Sequence, residues 1–220
     1  MDRTIELLKK SDALLDGHFL LSSGKHTRKY IQCAKLIENP VYCQEVAQKI
    51  AQKIKESGIK VDLCVGPAMG GIIIAYEVAR ALGINAIFTE RVDNKMTLRR
   101  GFDIKEGTNV IIVEDVITTG KSSFETVDVV EKYGAKVNAL TSIVNRSSVD
   151  EINGLKLISA TKLEIETFDP DNLPEDLKDT QAVKPGSRKW YLQTSIRNDI
   201  ISVTVLLLFT YQKRKKNDKK

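Results

Sequence analysis

Residues 109–123, NVIIVEDVITTGKSS, bring together the groups best able to do chemistry: adjacent carboxylates at Glu114 and Asp115, then a small, hydroxyl-rich turn of Thr118, Thr119, Gly120, Lys121 and Ser122. A turn of this kind that opens a helix offers main-chain N–H groups and the positive end of the helix dipole to a phosphate. Two carboxylates beside a phosphate cradle repel an anionic ligand unless it also carries hydroxyls or a cation. A ribose phosphate with bound magnesium meets both conditions, because the acids accept from sugar hydroxyls while the loop holds the phosphate. The plainer reading is a buried strand ending in a solvated acidic turn, with Asp115 or Thr118 serving only as a helix cap.

Other stretches carry charge in patterns that need placing. Residues 18–33, HFLLSSGKHTRKYIQC, crowd Lys25, His26, Arg28 and Lys29 together and follow them with Tyr30, a combination suited to a flat anionic ligand or to a solvated edge hairpin. Gly66-Pro67-Ala68-Met69-Gly70-Gly71 is a glycine-rich turn whose backbone can approach an anion, although tight strand–helix packing explains it equally well. Residues 90–102, ERVDNKMTLRRGF, show no hydrophobic period and carry Arg91, Lys95, Arg99 and Arg100; they read as a long polar loop of the kind that closes over sites, or as an exposed salt-bridged loop. Arg146 directly follows an apolar run and could clamp a carboxylate bidentately, or be an ordinary surface arginine.

The elements that must position these groups are legible in outline. The run 110–113 is short, apolar and β-branched, which suits a strand buried on both faces of a parallel sheet. Glu114 and Asp115 then stand at its carboxyl end, the ligand-binding edge of open α/β sheets. Further strands are expected over 61–65, 84–89 and 136–144, with one or two closing strands within 155–168. Helices are expected over 3–15, 41–57 (apolar at Val46, Ile50 and Ile54), 72–82 and 122–133. A short strand at 19–21 and strand-like alternation at 30–34 flank a turn at Ser22-Ser23-Gly24. The fold class is α/β: a mainly parallel central sheet flanked by helices, to which the family resemblance below adds a small N-terminal hood, mainly residues 1–40.

EDVITTGKS resembles, over nine contiguous residues, the phosphoribosyl-diphosphate (PRPP) motif of type I phosphoribosyltransferases. FLLSSGKHTRKYIQC is similar to the amino-terminal hood of orotate phosphoribosyltransferases, closest to the subtype typified by thermophilic bacteria. The resemblance implies the type I fold and transfer of a 5-phosphoribosyl group from PRPP to orotate, giving orotidine 5′-monophosphate and diphosphate in UMP biosynthesis, with Mg²⁺. It implies that Glu114 and Asp115 hold the ribose hydroxyls and that Val116, Ile117, Thr118, Thr119, Gly120, Lys121 and Ser122 form the PRPP loop. Ala68, Met69 and Gly70 would be the diphosphate loop, and Thr118, Arg146 and Tyr30 would border orotate. Arg91 and Lys95 match the spacing of the family's flexible catalytic loop, where with Arg99 or Arg100 they would neutralise the departing diphosphate. Lys95, Glu114 and Asp115 are the catalytic candidates, and magnesium would arrive with PRPP, with Asp115 the one side chain expected near it. Two departures stand out: Ser22-Ser23 replaces a lysine of the enterobacterial subtype, and Thr97 stands where that subtype has a histidine. No histidine is therefore nominated as acid or base, and His26 belongs at most to the substrate pocket. The family is usually dimeric, one subunit's lid reaching toward the other's site, which implies a homodimer.

Composition sets the remaining bounds. The chain has 220 residues and a net charge of +5, enough for one sizeable α/β domain with a small extension. From Trp190 onward there are seven Lys/Arg and two Asp/Glu, so residues 1–189 hold the other 27 of each sign and are neutral; no nucleic-acid partner is indicated. The resemblance also stops at about Lys189, which divides a phosphoribosyltransferase domain (1–189) from an extension (190–220). Residues 200–211, IISVTVLLLFTY, are too few to span a bilayer, which takes ~20. An adventitious extension is favoured over an added packing element or a membrane-contacting tail. Cys33, Cys43 and Cys64, an odd count without C-x-x-C spacing, read as reduced thiols of a cytoplasmic protein, and the charged, amphipathic start does not read as a signal peptide. Two alternatives stay open: a purine phosphoribosyltransferase, which would share the central motif but lack the hairpin with Tyr30 and Arg146, and a non-catalytic PRPP-binding regulator, for which the first 15 residues are too few to add a helix-turn-helix.

Overall fold

A computed structural model of the chain describes residues 2–21 and 23–185; Ser22 and the whole 190–220 extension discussed above lie outside the described residues. In chain order the elements are α1 (Arg3–Lys10), β1 (Leu14–Leu20), β2 (His26–Ile31), α2 (Ala34–Ile37), α3 (Pro40–Glu56), β3 (Leu63–Pro67), α4 (Gly70–Leu82), β4 (Asn85–Val92), β5 (Lys95–Leu98), β6 (Asn109–Ile117), α5 (Lys121–Glu131), β7 (Lys136–Asn145), β8 (Glu151–Ile152), β9 (Leu155–Lys162) and α6 (Glu175–Lys178). The described residues divide into two compact units, those up to Gly17 with Lys29–Glu166, and those of His18–Arg28 with residues 167–185.

The first unit is built on a seven-stranded sheet of order β5-β4-β3-β6-β7-β9-β8. Its five inner strands pair in parallel, and β5 and β8 add antiparallel edges. The mainly parallel sheet expected from the sequence is therefore present. Alternation along β6 sends Ile111 and Val113 into one apolar cluster with Val46, Ile50 and Ile54 of α3 and Ile74 and Val78 of α4. Val110 and Ile112 point the other way, against Val127 and Val130 of α5. Each such aliphatic side chain withdrawn from water contributes about 1.5–3 kcal/mol. Burial on both faces is what makes the run 110–113 unbroken in the sequence.

Chain order and strand order diverge beside β3. From β3 the chain crosses through α4 to β4 on one side, while β6 pairs with β3 on the other. This is a topological switch point, and it leaves a crevice at the carboxyl ends of β3 and β6. The turn 66–71 and the turn 118–121 both open there.

Local chemistry explains most boundaries. Asn39 Oδ1 accepts from the amides of Val41 (3.0 Å) and Tyr42 (3.3 Å), and Pro40 takes the first helical position, so α3 starts one residue before the expected 41. The first helix corrects the expectation of 3–15: α1 stops at Lys10. Asp12 adopts φ +54, its amide donates to Lys9 O (3.1 Å) and the Ala13 amide donates to Leu8 O (2.8 Å), which is a Schellman stop closed by an aspartate. Leu14 and Leu15 accordingly open β1. Residues 30–34 are likewise not one strand, since β2 ends at Ile31 and α2 begins at Ala34.

The largest correction concerns residues 90–102. They are not a structureless loop, because β4 runs on to Val92 and turns back as β5, with Arg91 opposite Met96 and Val92 opposite Lys95. Asp93 (φ +48) and Asn94 (φ +62) supply the two left-handed residues that a tight hairpin turn requires. Met96, Leu98 and Phe102 pack on the cluster beneath α5, and that anchoring turns a polar stretch into a strand pair.

In the second unit, main-chain bonds stitch residues 18–28 to the later segment. Leu20 N donates to Val183 O (2.9 Å), Val183 N donates to His18 O (2.8 Å), and His26 and Phe168 exchange a reciprocal pair at 2.8 Å.

Gly66 is where α4 seats on β3. A Cβ there would lie 2.7 Å from the Gly71 carbonyl carbon and 2.9 Å from Ala75 Cβ, both fixed by the helix. Gly66→Ala is expected to destabilise the fold by about 2–3 kcal/mol, lowering Tm by about 5–10 °C for a chain of this size. Thermal unfolding followed by far-UV circular dichroism checks this, and an unchanged Tm would refute the close approach.

Candidate functional site

Glu114 and Asp115 occupy the end of β6, where strand alternation turns them to opposite faces of the sheet. Glu114 follows Val110 and Ile112 toward α5; it is 5 % exposed and accepts a hydrogen bond from Ser122 Oγ at 2.5 Å. Burial pushes its carboxyl up to about 7, Ser122 opposes the shift, and the neighbouring Asp115 charge adds to it. Asp115 follows Ile111 and Val113 toward α4. Its Oδ1 accepts from the Val116 amide (2.8 Å) and its carbonyl oxygen accepts from the Cys33 thiol (3.7 Å). Burial raises this carboxyl too, against the pull of the Val116 amide.

The turn 66–71 forms the neighbouring wall. A Cβ on Gly70 would sit 2.7 Å from Asp115 Cγ and 2.8 Å from each carboxylate oxygen, so any other residue here would displace the carboxylate from its present position. The Ala68 amide is fixed to Thr89 O (2.7 Å), the Ala68–Met69 peptide is cis, and the Met69 side chain is exposed. The expected diphosphate loop Ala68, Met69, Gly70 therefore adjoins Asp115 directly.

Beyond Ile117 the chain makes the turn expected of an anion site. Thr118 and Thr119 are exposed, Gly120 takes φ +73, and α5 starts at Lys121. Among the described residues, no backbone or side-chain acceptor takes the amides of Thr118, Thr119, Gly120, Lys121 or Ser122. These are the orphan donors of a helix N-terminus. Val116 packs against the α3–α4 cluster and Ile117 is buried against α5, so the main chain is what these two can offer a ligand.

Arg146 and Tyr30 complete the same edge. Arg146 lies just past β7, its amide donating to Ile117 O (2.8 Å), its side chain half-buried and its Nε without a hydrogen-bond partner among the described residues. Burial lowers its guanidinium and the nearby Tyr30 phenol opposes that. Burial raises the Tyr30 phenol, the Arg146 charge lowers it, and Asp115 raises it. Tyr30, named from a separate stretch of sequence, thus feels the charges of both Arg146 and Asp115.

The expected lid cations are not gathered. On the β4–β5 hairpin Arg91 shares the Met96 face and pairs with Glu125 of α5, while Lys95 lies with Val92 and Thr97 on the other face, where it is exposed. Arg100 makes a bidentate pair with Glu90 (2.9 and 3.0 Å), and Arg99 approaches the same carboxylate at 3.8 Å. The cations of residues 25–29 are engaged too. Lys25 pairs with Asp169 (3.3 Å), Arg28 grips Asp176 bidentately and lies over the Phe168 ring, and Lys29 reaches Asp16 (2.5 Å). His26 Nδ1 meets His18 Nε2 at 2.6 Å, and His18 Nδ1 reaches the Thr180 carbonyl (3.1 Å).

Sequence reasoning missed several participants. Ser122 was named for the PRPP loop, not as the donor to Glu114; Cys33 was named only as a reduced thiol, and Glu125 was not named at all. Glu114 and Asp115 offer their oxygens on opposite faces of β6, so a cation in the crevice meets Asp115 alone, and among the described residues no group of three or more His, Cys, Asp or Glu could hold a metal. That donor set fits Mg²⁺ completed by ligand phosphates, because this ion keeps few protein carboxylates.

The Glu114 environment predicts a pH dependence in the ligand-free protein. Between about pH 4.5 and 7 the folded state holds a proton here that the unfolded chain has lost, so this group's stabilisation declines as pH rises through that window and is level above it. Glu114→Gln removes the decline. Its stability relative to the unmodified chain is expected to rise by roughly 2–3 kcal/mol between pH 5 and pH 8. Urea midpoints at the two pH values measure this, and a difference that stays flat or falls would contradict the assignment.

Comparison with known proteins agrees with this geometry. The phosphoribosyl transferase domain family matches residues 34–169. The orotate phosphoribosyltransferase of Desulforamulus reducens is 43 % identical over 188 residues, covering 86 % of this chain and 97 % of that protein. That of Caldanaerobacter subterraneus subsp. tengcongensis is 44 % identical over 188 residues, covering 86 % and 98 %. The crystal structure of orotate phosphoribosyltransferase from Aeropyrum pernix superposes with a TM-score of 0.62 at 25 % identity, over 72 % of this chain and 92 % of that one. With a switch-point crevice, a free-amide turn and two carboxylates at its heart, this chain belongs to the orotate phosphoribosyltransferase family.

Proposed function

We propose that this protein transfers the 5-phosphoribosyl group of PRPP to orotate, forming orotidine 5′-monophosphate and releasing diphosphate, as a Mg²⁺-dependent cytoplasmic homodimer. The observation that carries the reading is the edge at β6: an acid on each face of the strand, unpartnered amides following, and Arg146 beside Tyr30 with a buried, unpartnered Nε. Amides 118–122 suit the 5-phosphate. The backbone of Ala68, Met69 and Gly70, lying against Asp115, suits the diphosphate. Arg146 suits the orotate carboxylate, which can take two parallel N–H donors.

Displacement at the anomeric carbon builds positive charge on the ribose and negative charge on the leaving diphosphate. Asp115 and Glu114 accept from the ribose hydroxyls and so favour the first; Arg91 and Lys95 favour the second. Magnesium would be held by PRPP oxygens with Asp115 and would supply further neutralisation of the diphosphate. Orotate brings an anionic carboxylate and an acidic ring nitrogen, which removes the need for a strong protein base. Arg91 and Lys95 lie on opposite faces of the hairpin, an arrangement that suits a dimer in which Arg91 serves its own site and Lys95 the other subunit's.

The dimer surface is read from α4. Met69 (83 % exposed), Ile73 (54 %) and Tyr76 (62 %) recur at helical spacing along one face, with Val41 (67 %) at the start of α3. An apolar stripe of this kind marks an interaction surface, and a two-fold axis would bury it against its own copy. The three buried, unpaired cysteines suit a reducing compartment, and among the described residues no helix is long and apolar enough to cross a membrane.

Spectrophotometric assay with PRPP and Mg²⁺ is expected to show loss of orotate and no turnover of hypoxanthine or adenine; an inert protein, or one that prefers a purine, would refute the proposal. Lys95→Ala is expected to lower kcat by about 10²–10³-fold while retaining PRPP binding. Light scattering should give twice the chain mass, falling to one chain mass in an Ile73→Asp, Tyr76→Asp double variant. Dimers persisting in that variant would exclude α4 as the interface.

A further inference from the structure

Arg146 is held by its neighbour. Asn145, the last residue of β7, is 2 % exposed, and nothing in the reaction as described uses it. Its Oδ1 accepts from the Ser147 amide at 2.8 Å and from Ser147 Oγ at 2.6 Å, and its Nδ2 donates to Val149 O at 3.0 Å. A side-chain oxygen bonded to the amide two residues on closes an Asx-turn, and the central residue of this turn is Arg146. The main chain on either side is also tied down. Asn145 O accepts from the Leu163 amide (2.9 Å), and the Arg146 amide donates to Ile117 O (2.8 Å), the residue before the Thr118 turn.

We propose that Asn145 is a positioning residue for acceptor recognition: its carboxamide fixes the backbone of Arg146 and thereby aims the guanidinium at the acceptor's carboxylate. The inference rests on the orotate reading above and adds to it a residue that makes no contact with the substrate. An arginine at a free strand end samples many rotamers and backbone angles, and ordering it on binding costs affinity for that ligand alone. The Asx-turn, buried and bonded at three points, meets that cost during folding. The half-burial of Arg146 and its unpartnered Nε fit a guanidinium held ready for a ligand instead of resting on the protein.

The test is a double-mutant cycle read in steady-state kinetics on the full chain. Asn145→Ala is expected to raise KM for orotate by about tenfold, the scale of one lost hydrogen-bond constraint, with KM for PRPP changed less than about twofold. Asn145→Asp keeps the acceptor for the Ser147 amide and is expected to stay within about threefold of the unmodified protein. In an Arg146→Ala background the Asn145→Ala change should add nothing to KM for orotate, because its route of action is gone. Additive effects in that background, both KM values rising together, or Asn145→Asp behaving like Asn145→Ala would each overturn the inference. If Asn145→Ala does not fold, the milder Asn145→Ser takes its place in the cycle, expected to raise KM for orotate and not for PRPP and to lose that effect in the Arg146→Ala background, with the same overturning outcomes. An unmodified protein inert toward orotate would instead overturn the proposed function and this inference with it, so the two failures are told apart by the first measurement.

Discussion

The structure depends on a close approach between backbone and carboxylate at the sheet's switch point. The turn after β3 lies on Asp115 at Gly70, where a Cβ would force the carboxylate aside, and α4 lies on β3 and β6 only because Gly66 and Gly71 have no Cβ. These glycines serve one geometry. Removing side chains at 66 and 71 brings the helix down onto the strand; removing one at 70 lets its first turn meet the acid. The crevice between β3 and β6 is thereby narrowed to main-chain atoms on one side and a carboxylate on the other, a surface suited to a small, highly charged ligand.

Burying two adjacent acids at such an edge is costly, and the fold divides the cost between two environments. A strand places successive side chains on opposite faces. Glu114 is carried under α5, where Ser122 is its donor, and Asp115 toward α4, where the Val116 amide is. Desolvation dominates both and holds both carboxyls above their ordinary range. Local donors offset it only in part. A site in this condition gains from any ligand that brings hydroxyl donors or positive charge, so the electrostatic cost of the empty site becomes selectivity for a sugar with a counter-ion.

How much of this was legible in the sequence follows from which interactions are local. The buried strand with its acids, the glycine turn at 66–71 and the amphipathic helix expected from 41 were readable because each is specified by residues close together in the chain. The first helix was read too long because its stop is an aspartate: Asp12 adopts a conformation usually left to glycine, and the nearest glycine, Gly17, belongs to β1. The β4–β5 hairpin was read as a loop because what orders it is distant in sequence, namely the packing of Met96 and Leu98 beneath α5. Chain separation likewise hid the partners of the cations. Arg28 and Asp176 are 148 positions apart, and Arg91 and Glu125 are 34 apart, so a run of positive charge looked available that the folded chain has already paired.

That pairing bears on how such sites divide their cations. A guanidinium or ammonium that must meet a transient diphosphate can wait in water, as the exposed Lys95 does, or wait on a carboxylate, as Arg91 does on Glu125. An exposed ion pair is worth only about 0–1 kcal/mol, so the Arg91–Glu125 contact is easily exchanged for a multiply charged phosphate. Arg146 follows a third course: it is half-buried, with one nitrogen left unbonded, and its backbone is locked by a neighbouring side chain. The group that must discriminate between acceptors is the one held rigid, since selectivity needs a fixed donor geometry, whereas neutralising a leaving group needs only charge that can arrive in time.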